Sequence, residues 1–519
     1  MDNPTMNLIK DERADIPFVD VLVPYTEGFV NELKKTNISA VLINKLHTGL
    51  LNEMSSVAEV TLQDELNNLK KNGLSIYSEF VETMYSTLAI KYPVLNKILK
   101  TVANNYLIHI QNIFSNFSKD LHLISKTFSL ALNSNITIKD INLSLGDGHG
   151  GESTASVTLS NDTKLIYKPR NIDTAKSYNI FIDWINQKLN INLKILRCLN
   201  YEHYGWLEFA DHHCADSVTD LQEYYQKAGV LLAVTLLLGS KDCHYENVIA
   251  SGKNPVIIDH ETIIQPVLSQ QSIRTWDEHH KIAPFSVLES MLIINKNTGV
   301  PTEYAGYGIK GNIEIMDLEK KVIHPNTIDS KRDTRFVFRK LVKENIPFYE
   351  DKHLFAADYR AFFIEGFTKA YDLFVSSKDE LMSSDSPIQG FKKQKIRYVW
   401  RPTFVYFRIL KYMRSSVFMK SSEAYESKLY ELMSKAYQKA DCENYKFILN
   451  HEMQQMLKGD IPFFNLDSQD HHLGGNGSFK IFSHNCIENI EQRINLFSTK
   501  HKEEQIEFIN NWLNINTSV

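Results

Sequence analysis

The stretch Gly239-Ser-Lys-Asp-Cys-His-Tyr-Glu-Asn247, followed by Pro255-Val-Ile-Ile-Asp-His-Glu261, constrains this chain more than any other. Asp242 is followed five residues later by Asn247, and twelve residues after that Asp259 ends an apolar run. Between Asn247 and Asp259, Val-Ile-Ala-Ser-Gly-Lys-Asn-Pro-Val-Ile-Ile reads as two short strands joined by a Ser-Gly-Lys-Asn turn. Such a hairpin returns the chain on itself, so that Asn and Asp side chains converge on one cation. Magnesium takes hard oxygen ligands of this kind.

An ordinary buried hairpin, with Asp and Asn capping a turn, accounts for Asp-x4-Asn taken alone. With Asp259 at its distance and a long apolar helix upstream, the layout is that of a kinase catalytic loop and its metal-binding aspartate. Asp242 would then orient or deprotonate an attacking hydroxyl. Asn247 and Asp259 would hold Mg²⁺ on the phosphates of ATP.

That reading requires a nucleotide-gripping half. Ile141-Asn-Leu-Ser-Leu145 alternates, Gly146-Asp-Gly-His-Gly-Gly151 follows, and then come Ala155-Ser-Val-Thr-Leu159, a Ser-Asn-Asp turn and Lys164-Leu-Ile-Tyr-Lys168. Gly146, Gly148 and Gly150 would let backbone N–H groups approach a phosphate. Lys168, two strands later, would pair with the α- and β-phosphates. Asp147 and His149 sit oddly there, because a loop that only binds phosphates does not want a carboxylate. Either they face solvent or they take part in the chemistry. Asp173 is expected to cap a helix to about Leu189. This helix offers no glutamate to pair with the lysine; Asp183 is its only acid after the cap, and Glu208 is another candidate. An ordinary protein kinase is therefore not expected.

Composition narrows the setting. Of 519 residues 43% are hydrophobic and 23% charged, and the net charge of −5 gives no basic excess pointing to nucleic acid. The cysteines (Cys198, Cys214, Cys243, Cys442, Cys486) are scattered, odd in number and without Cys-x-x-Cys. They point to a reducing compartment, and away from a disulfide framework or a thiolate zinc site. The amino terminus lacks the regions of a signal peptide. The apolar run Gly229–Gly239 is half the ~20 residues needed to cross a bilayer. A cytoplasmic protein with no membrane span is expected.

Three regions are legible. Residues 1–138 read as a helical N-terminal region, with Phe80, Met84 and Leu88, then Leu95, Ile98, Leu99 and Val102, at helical steps and a break at Tyr92-Pro93. Residues 139–225 hold the strands and the glycine-rich loop. Residues 226–519 hold the catalytic loop, a less legible stretch at about 265–395 read as an inserted subdomain, and a helical C-terminal region. Within the last region Arg397-Tyr-Val-Trp-Arg-Pro-Thr403 concentrates two arginines and a threonine.

A set of motifs then runs in order from about residue 60 to the end: Thr61-Leu-Gln-Asp-Glu-Leu66, Tyr92-Pro-Val-Leu95, Gly146-Asp-Gly-His149, Tyr167-Lys-Pro-Arg170, Gly205-Trp-Leu-Glu-Phe209, Asp242-Cys-His-Tyr-Glu-Asn247, Pro255–Glu261, Gly366-Phe367, Arg397…Arg401-Pro-Thr403 and Gly459-Asp-Ile-Pro-Phe463. In these the chain resembles the dehydratase part of class II lanthipeptide synthetases, the LanM type. The resemblance implies an α+β, protein/lipid-kinase-like bilobal fold with an N-terminal helical cap and an inserted activation subdomain. It implies two reactions on a ribosomally made precursor peptide with a leader. Ser and Thr are phosphorylated from ATP with Mg²⁺, and phosphate is then eliminated to leave dehydroalanine or dehydrobutyrine.

By the same resemblance, Lys168 grips the phosphates, Asn247 and Asp259 hold Mg²⁺, and Asp242 works on the substrate hydroxyl. His244, Asp147 and His149 are further catalytic candidates, and Glu261 is a plausible site member. Arg397 offers a planar fork of donors for the departing phosphate and Thr403 adds a hydroxyl. The base for the α-proton is left unassigned. His260 stands where the family usually has an apolar residue. Full-length relatives continue into a cyclase domain with a Cys/His zinc site, which the lone Cys486 after Cys442 cannot build. Ring closure is then expected from a separate cyclase, unless the chain is an excised domain or the product keeps its dehydro residues. An exporter is a further candidate partner. Three other readings stand beside this one. The first is a phosphotransferase that stops at the phosphoester. The second is a pseudokinase scaffold, which would be expected to have lost Lys168, Asn247 or Asp259. The third is a metal-dependent hydrolase built on Asp242, His244, Asp259 and His260, which leaves the glycine loop and Lys168 unexplained.

Overall fold

The computed structural model of the chain describes residues 13–130, 136–269, 281–310, 314–340, 343–437, 442–473 and 480–515; the side chains at 144, 147, 314, 315, 317, 320 and 442–444 are outside the described set. In chain order the elements that matter here are α1 (Val19–Lys34), α2 (Ala40–Lys71), α3 (Tyr77–Lys91), α4 (Pro93–Thr127), β1 (Ile138–His149), β2 (Glu152–Leu159), β3 (Lys164–Lys168), α5 (Asp173–Leu189), β4 (Cys198–Asn200), β5 (Gly205–Glu208), α6 (Val218–Leu238), β6 (Val248–Ser251) and β7 (Asn254–Ile257). There follow β8 (Lys395–Tyr398), α7 (Thr403–Met413), α8 (Ser422–Ser434), α9 (Cys442–Met456), β9 (Phe464–Asp467), α10 (Cys486–Leu496) and α11 (Thr499–Ile515). One further helix, Arg360–Ser376, precedes β8. Helix and strand are mixed, and each periodic segment read from the sequence is present. The helical run does break at Tyr92, where Pro93 opens α4 as its first residue.

The chain forms two compact units, each of three segments: residues 1–169, 316–339 and 401–463 in the first, and 170–315, 340–400 and 464–519 in the second. In the first unit α1–α4 pack through Leu22, Phe29, Leu50, Leu51, Met54, Leu62, Phe80, Leu95, Leu99, Ile110 and Ile113, all buried. A buried carboxylate, Glu65, ties two of these helices by accepting from Tyr92 Oη at 2.6 Å and pairing with Lys91 at 2.5 Å. The meander β1–β2–β3 is antiparallel, with Val157 opposite both Ile141 and Leu165.

In the second unit α6 is the central element. Every residue from Lys227 to Leu238 is buried, as its largely apolar composition requires, with the Lys227 amine held by Glu223 and Asn254. Ser217 caps its start by accepting from Asp220 N–H, and Gly239, at φ 69°, ends it. Helix Arg360–Ser376 crosses α6 at closest approach, because a Cβ on Gly229 would strike the backbone of Phe363 and Phe367 and one on Gly366 would strike Gln226. Among the described residues no helix is long and apolar enough to cross a membrane. Cys198, Cys214, Cys243 and Cys486 are free thiols.

Candidate active site

In the second unit the turn after α6 is tied down residue by residue. Ser240 Oγ donates to Ile263 O at 2.5 Å, Lys241 N to Thr262 O at 3.1 Å, and Cys243 N to Ser290 O at 2.8 Å. Asp242, between these anchors, has φ 63°. For a residue with a Cβ that backbone is disfavoured by roughly 1–2 kcal/mol, and Asp is among the few that adopt it. The strain is held by Asn247, whose Nδ2 donates to Asp242 O at 2.7 Å. With an N–H committed there, the Asn247 amide keeps Oδ1 as its acceptor atom. His244 Nδ1 accepts from Glu246 N–H at 3.3 Å, and its Nε2 lies 3.4 Å from Asn247 Nδ2 and 3.6 Å from Asp242 Oδ1.

The expected hairpin follows. β6 and β7 pair from Val248↔Ile257 to Ser251↔Asn254, and Gly252 takes φ 58° in the two-residue turn. Ile258 N then donates to Asn247 O at 3.1 Å, which brings the chain leading to Asp259 alongside Asn247. The buried Cys243 thiol is pushed up first by burial and then by the carboxylates of Asp242 and Asp259, so both charges bear on one point. Among the described residues no three His, Cys, Asp or Glu side chains form a metal cluster. Magnesium does not need one: it is commonly held by one or two side-chain oxygens together with phosphate oxygens and water. Asn247 and Asp259 fit that donor set.

Beyond Asp259, whose Oδ1 accepts from Glu261 N–H at 3.3 Å, Glu261 faces two guanidinium groups. Arg170 Nη1 lies 3.4 Å and Arg397 Nη1 3.9 Å from Glu261 Oε2. Arg397 is placed by β8: its N–H donates to Glu261 O at 3.0 Å and its carbonyl accepts from Gln265 Nε2 at 2.9 Å. Both arginine side chains are largely buried, at 20% and 13% exposure. Arg170 stood in the sequence only as the end of Tyr-Lys-Pro-Arg, and its place beside Glu261 comes from the fold. His260 packs its ring 4.6 Å from that of Tyr178 and is buried, which makes it part of the core.

Two details differ from expectation. Asp173 is the first residue of α5 and not its cap, and its carboxylate accepts from Asn171 and Asn200. Glu208 is occupied by Lys194 at 2.7 Å and Arg197 at 2.8 Å. Burial pushes that carboxyl up, but these hydrogen bonds outweigh it and hold the group low.

In the first unit Lys168 ends β3 and is buried to 7% exposure, with Tyr167 beside it accepting from Asn116 Nδ2 at 2.9 Å. The glycine-rich segment is a hairpin tip. His149 pairs with Glu152, so Gly150 and Gly151, at φ 64° and 77°, form a two-residue turn of the type I′ pattern. Gly146 has φ 86° where the register slips between Leu145 and His149, and Gly148 lies within the same β1 strand. The Asp147 side chain lies outside the described residues. Thr403 is the first residue of α7, half-buried, behind Pro402. Arg401, which looked like a partner for Arg397 in sequence, is a buried structural group. Its Nε and Nη2 meet Glu452 at 2.7 and 2.8 Å, and Tyr406 and Tyr437 donate to the same carboxylate.

The family described as "Domain of unknown function (DUF4135)" matches residues 92–467. The chain belongs to this family. The matched DUF4135 span takes in every candidate site residue from Asp147 to Thr403. The chain is also 26% identical over 485 residues to the "Lacticin 481/lactococcin biosynthesis protein LcnDR2" of Lactococcus lactis subsp. lactis, which covers 85% of this chain and 50% of that protein. It thus spans about half the length of the curated relative it matches. Together these findings support the LanM-like character read from the motifs.

Proposed function

We propose that this chain acts in lanthipeptide biosynthesis as a dehydratase, phosphorylating Ser and Thr of a precursor peptide from ATP and then eliminating phosphate, on an α+β kinase-like bilobal fold. The observation that carries the reading is the strained Asp242 held by Asn247, with the β6–β7 hairpin returning Asp259 to Asn247. This is the side-chain set that a phosphoryl transfer needs around a hydroxyl and a metal-bound phosphate.

In the first step Asp242 orients the substrate hydroxyl and accepts its proton, assisted by His244. The hydroxyl oxygen bonds to the γ-phosphorus as the bond to the ADP oxygen breaks. Lys168 supplies a buried cation for the phosphates. Mg²⁺, held by Asn247 and Asp259, would supply charge neutralisation there. Hydroxide is a poor leaving group and phosphate a better one. In the second step a base takes the α-proton, the electron pair becomes the Cα–Cβ double bond, and phosphate leaves Cβ. Arg397, oriented by Glu261, offers N–H donors to the departing phosphate, and Thr403 a hydroxyl. Asp147 and His149 remain candidates for the proton transfers. The proposed setting is the cytoplasm, with a leader-bearing precursor peptide as substrate and an exporter as partner. Incubating the full chain with ATP, Mg²⁺ and a Ser/Thr-rich precursor peptide tests this by intact mass. Loss of whole waters that requires both ATP and Mg²⁺ is expected; phosphate adducts alone would leave a phosphotransferase.

A further inference from the structure

The ribbon formed by the strands Glu314–Ile323 and Lys331–Lys340 has no part in the steps above. Residues 316–339 of it belong to the first unit. Its closed end is bolted to the helices of that unit. Gln63 of α2 and Ser330 bond reciprocally, Gln63 Nε2 donating to Ser330 O at 2.8 Å and Ser330 Oγ to Gln63 Oε1 at 2.9 Å. Asn326 donates to the carbonyls of Ala14 and Ile16, both at 2.9 Å. It accepts from Val19 N–H at 3.2 Å and from Tyr77 Oη at 3.3 Å.

Along its length the ribbon is uncovered. Glu319 pairs with Arg335 at 2.8 Å and with Arg339 at 3.5 Å, which puts the odd-numbered residues of both strands on one face. The even-numbered face then carries Met316, Leu318, Phe336 and Phe338, exposed at 60%, 43%, 67% and 67%. Apolar side chains exposed singly are ordinary, whereas four on one face mark a contact surface. Among the described residues each strand bonds only to the other, so each keeps an open outer edge. A two-stranded ribbon is marginal in water, and a third strand over an apolar face stabilises it. Here hydrogen bonds fix the closed end while the face and the edges stay open.

We propose that this ribbon docks an extended, acidic segment of the precursor peptide as an added strand. The apolar side chains of the segment lie on Met316, Leu318, Phe336 and Phe338, and its carboxylates lie beside the cations of the 331–340 strand. Main-chain hydrogen bonds then supply affinity and alternate side chains supply selectivity. Charge decides the sign of the partner: from 331 to 339, Lys331, Arg332, Arg335 and Arg339 stand against the one acid Asp333, in a chain whose net charge is −5. A second copy of the chain, pairing the same strand with itself, would set like charges opposite one another. A membrane offers no backbone to an open strand edge. This docking rests on the dehydratase reading for the identity of the peptide.

The test uses the full chain without ATP or Mg²⁺ and a labelled probe of about ten residues, the span of a strand, alternating Glu with Leu or Val. One counterpart has Lys for Glu, and another is N-methylated at alternate residues, which keeps its side chains and removes N–H donors. By fluorescence anisotropy the acidic probe is expected to bind at least about tenfold more tightly than either counterpart. Phe336→Ser/Phe338→Ser should weaken it at least about tenfold with an unchanged urea midpoint, and Lys331→Glu, on an exposed residue, should weaken it without touching the apolar face. No binding of the acidic probe, or equal binding of the basic one, overturns the docking; equal binding of the N-methylated probe overturns strand addition. Full binding by both variants would place the segment elsewhere. A dimer dissociated by Phe336→Ser/Phe338→Ser in sedimentation would assign the face to a second copy. Capture of the wild type but not of that variant by phosphatidylglycerol vesicles would assign it to a membrane, and either result overturns the proposal. A chain that binds the acidic probe here yet leaves only phosphoester on a peptide contradicts the dehydratase reading alone, and one that dehydrates without binding the probe contradicts the docking alone.

Discussion

Asp242 joins backbone strain to chemistry at a single position. Its φ of 63° is tolerated by Asp and Asn but not by most side chains. Asp242→Asn is therefore expected to unfold within about 1 kcal/mol of the wild type in urea, while product formation falls by at least about 10²-fold for want of the proton acceptor. A fall in stability equal to the fall in activity would contradict this. At this scale the sequence was informative where spacing alone decides geometry: one short hairpin returns the chain leading to Asp259 alongside Asn247. It was uninformative where a distant partner decides. Arg397 and Arg401 look alike four residues apart, and only Glu452, fifty-one residues beyond Arg401, withdraws that arginine into the core. Arg170 and Asp460 were likewise legible as motif letters without roles.

Among the elements, the strands, the glycine hairpin and the α5 and α6 helices could be read from alternation, helical periodicity and turn residues, because each is determined within a dozen or so neighbours. What joins them could not. Gly366-Phe367 is a motif in the sequence for no visible reason, and in the structure Gly366 and Gly229 let two helices touch backbone to backbone. Gly366→Ala must push α6 and its neighbour apart. It is expected to lower unfolding free energy by about 1–3 kcal/mol, the range for overpacking, as read by urea denaturation. An unchanged midpoint would mean that the crossing is looser than described. The glycine hairpin carries a similar lesson. Four glycines suggested a loop open to phosphate, whereas the fold commits Gly151 N–H to Asp460 and packs Asn105 against that residue.

Stability against pH belongs to the whole molecule, and His47 gives it a signed expectation. His47 Nε2 lies 2.7 Å from Thr26 Oγ1, which itself donates to Val23 O, so the hydroxyl oxygen accepts from the ring Nε2–H between α1 and α2. Burial lowers its pKa from 6.5 to about 4, with Arg13 and Lys34 adding to the effect. Below about pH 6.5 the unfolded chain binds a proton that the folded chain refuses. This contribution is therefore full above the unfolded pKa and is lost as pH falls towards 4. His47→Gln should flatten the loss of stability between those values; an unaltered slope would place the acid sensitivity elsewhere.

The central claim is that one chain both attaches and removes phosphate. Intact-mass analysis of the precursor peptide after incubation with ATP, Mg²⁺ and either the wild type or Arg397→Ala tests it most directly. Whole-water losses with the wild type, replaced by phosphate adducts with Arg397→Ala, are the predicted result. Phosphate adducts from both proteins, or water losses from both, would contradict the part given to Arg397, and the former would reduce the chain to a phosphotransferase.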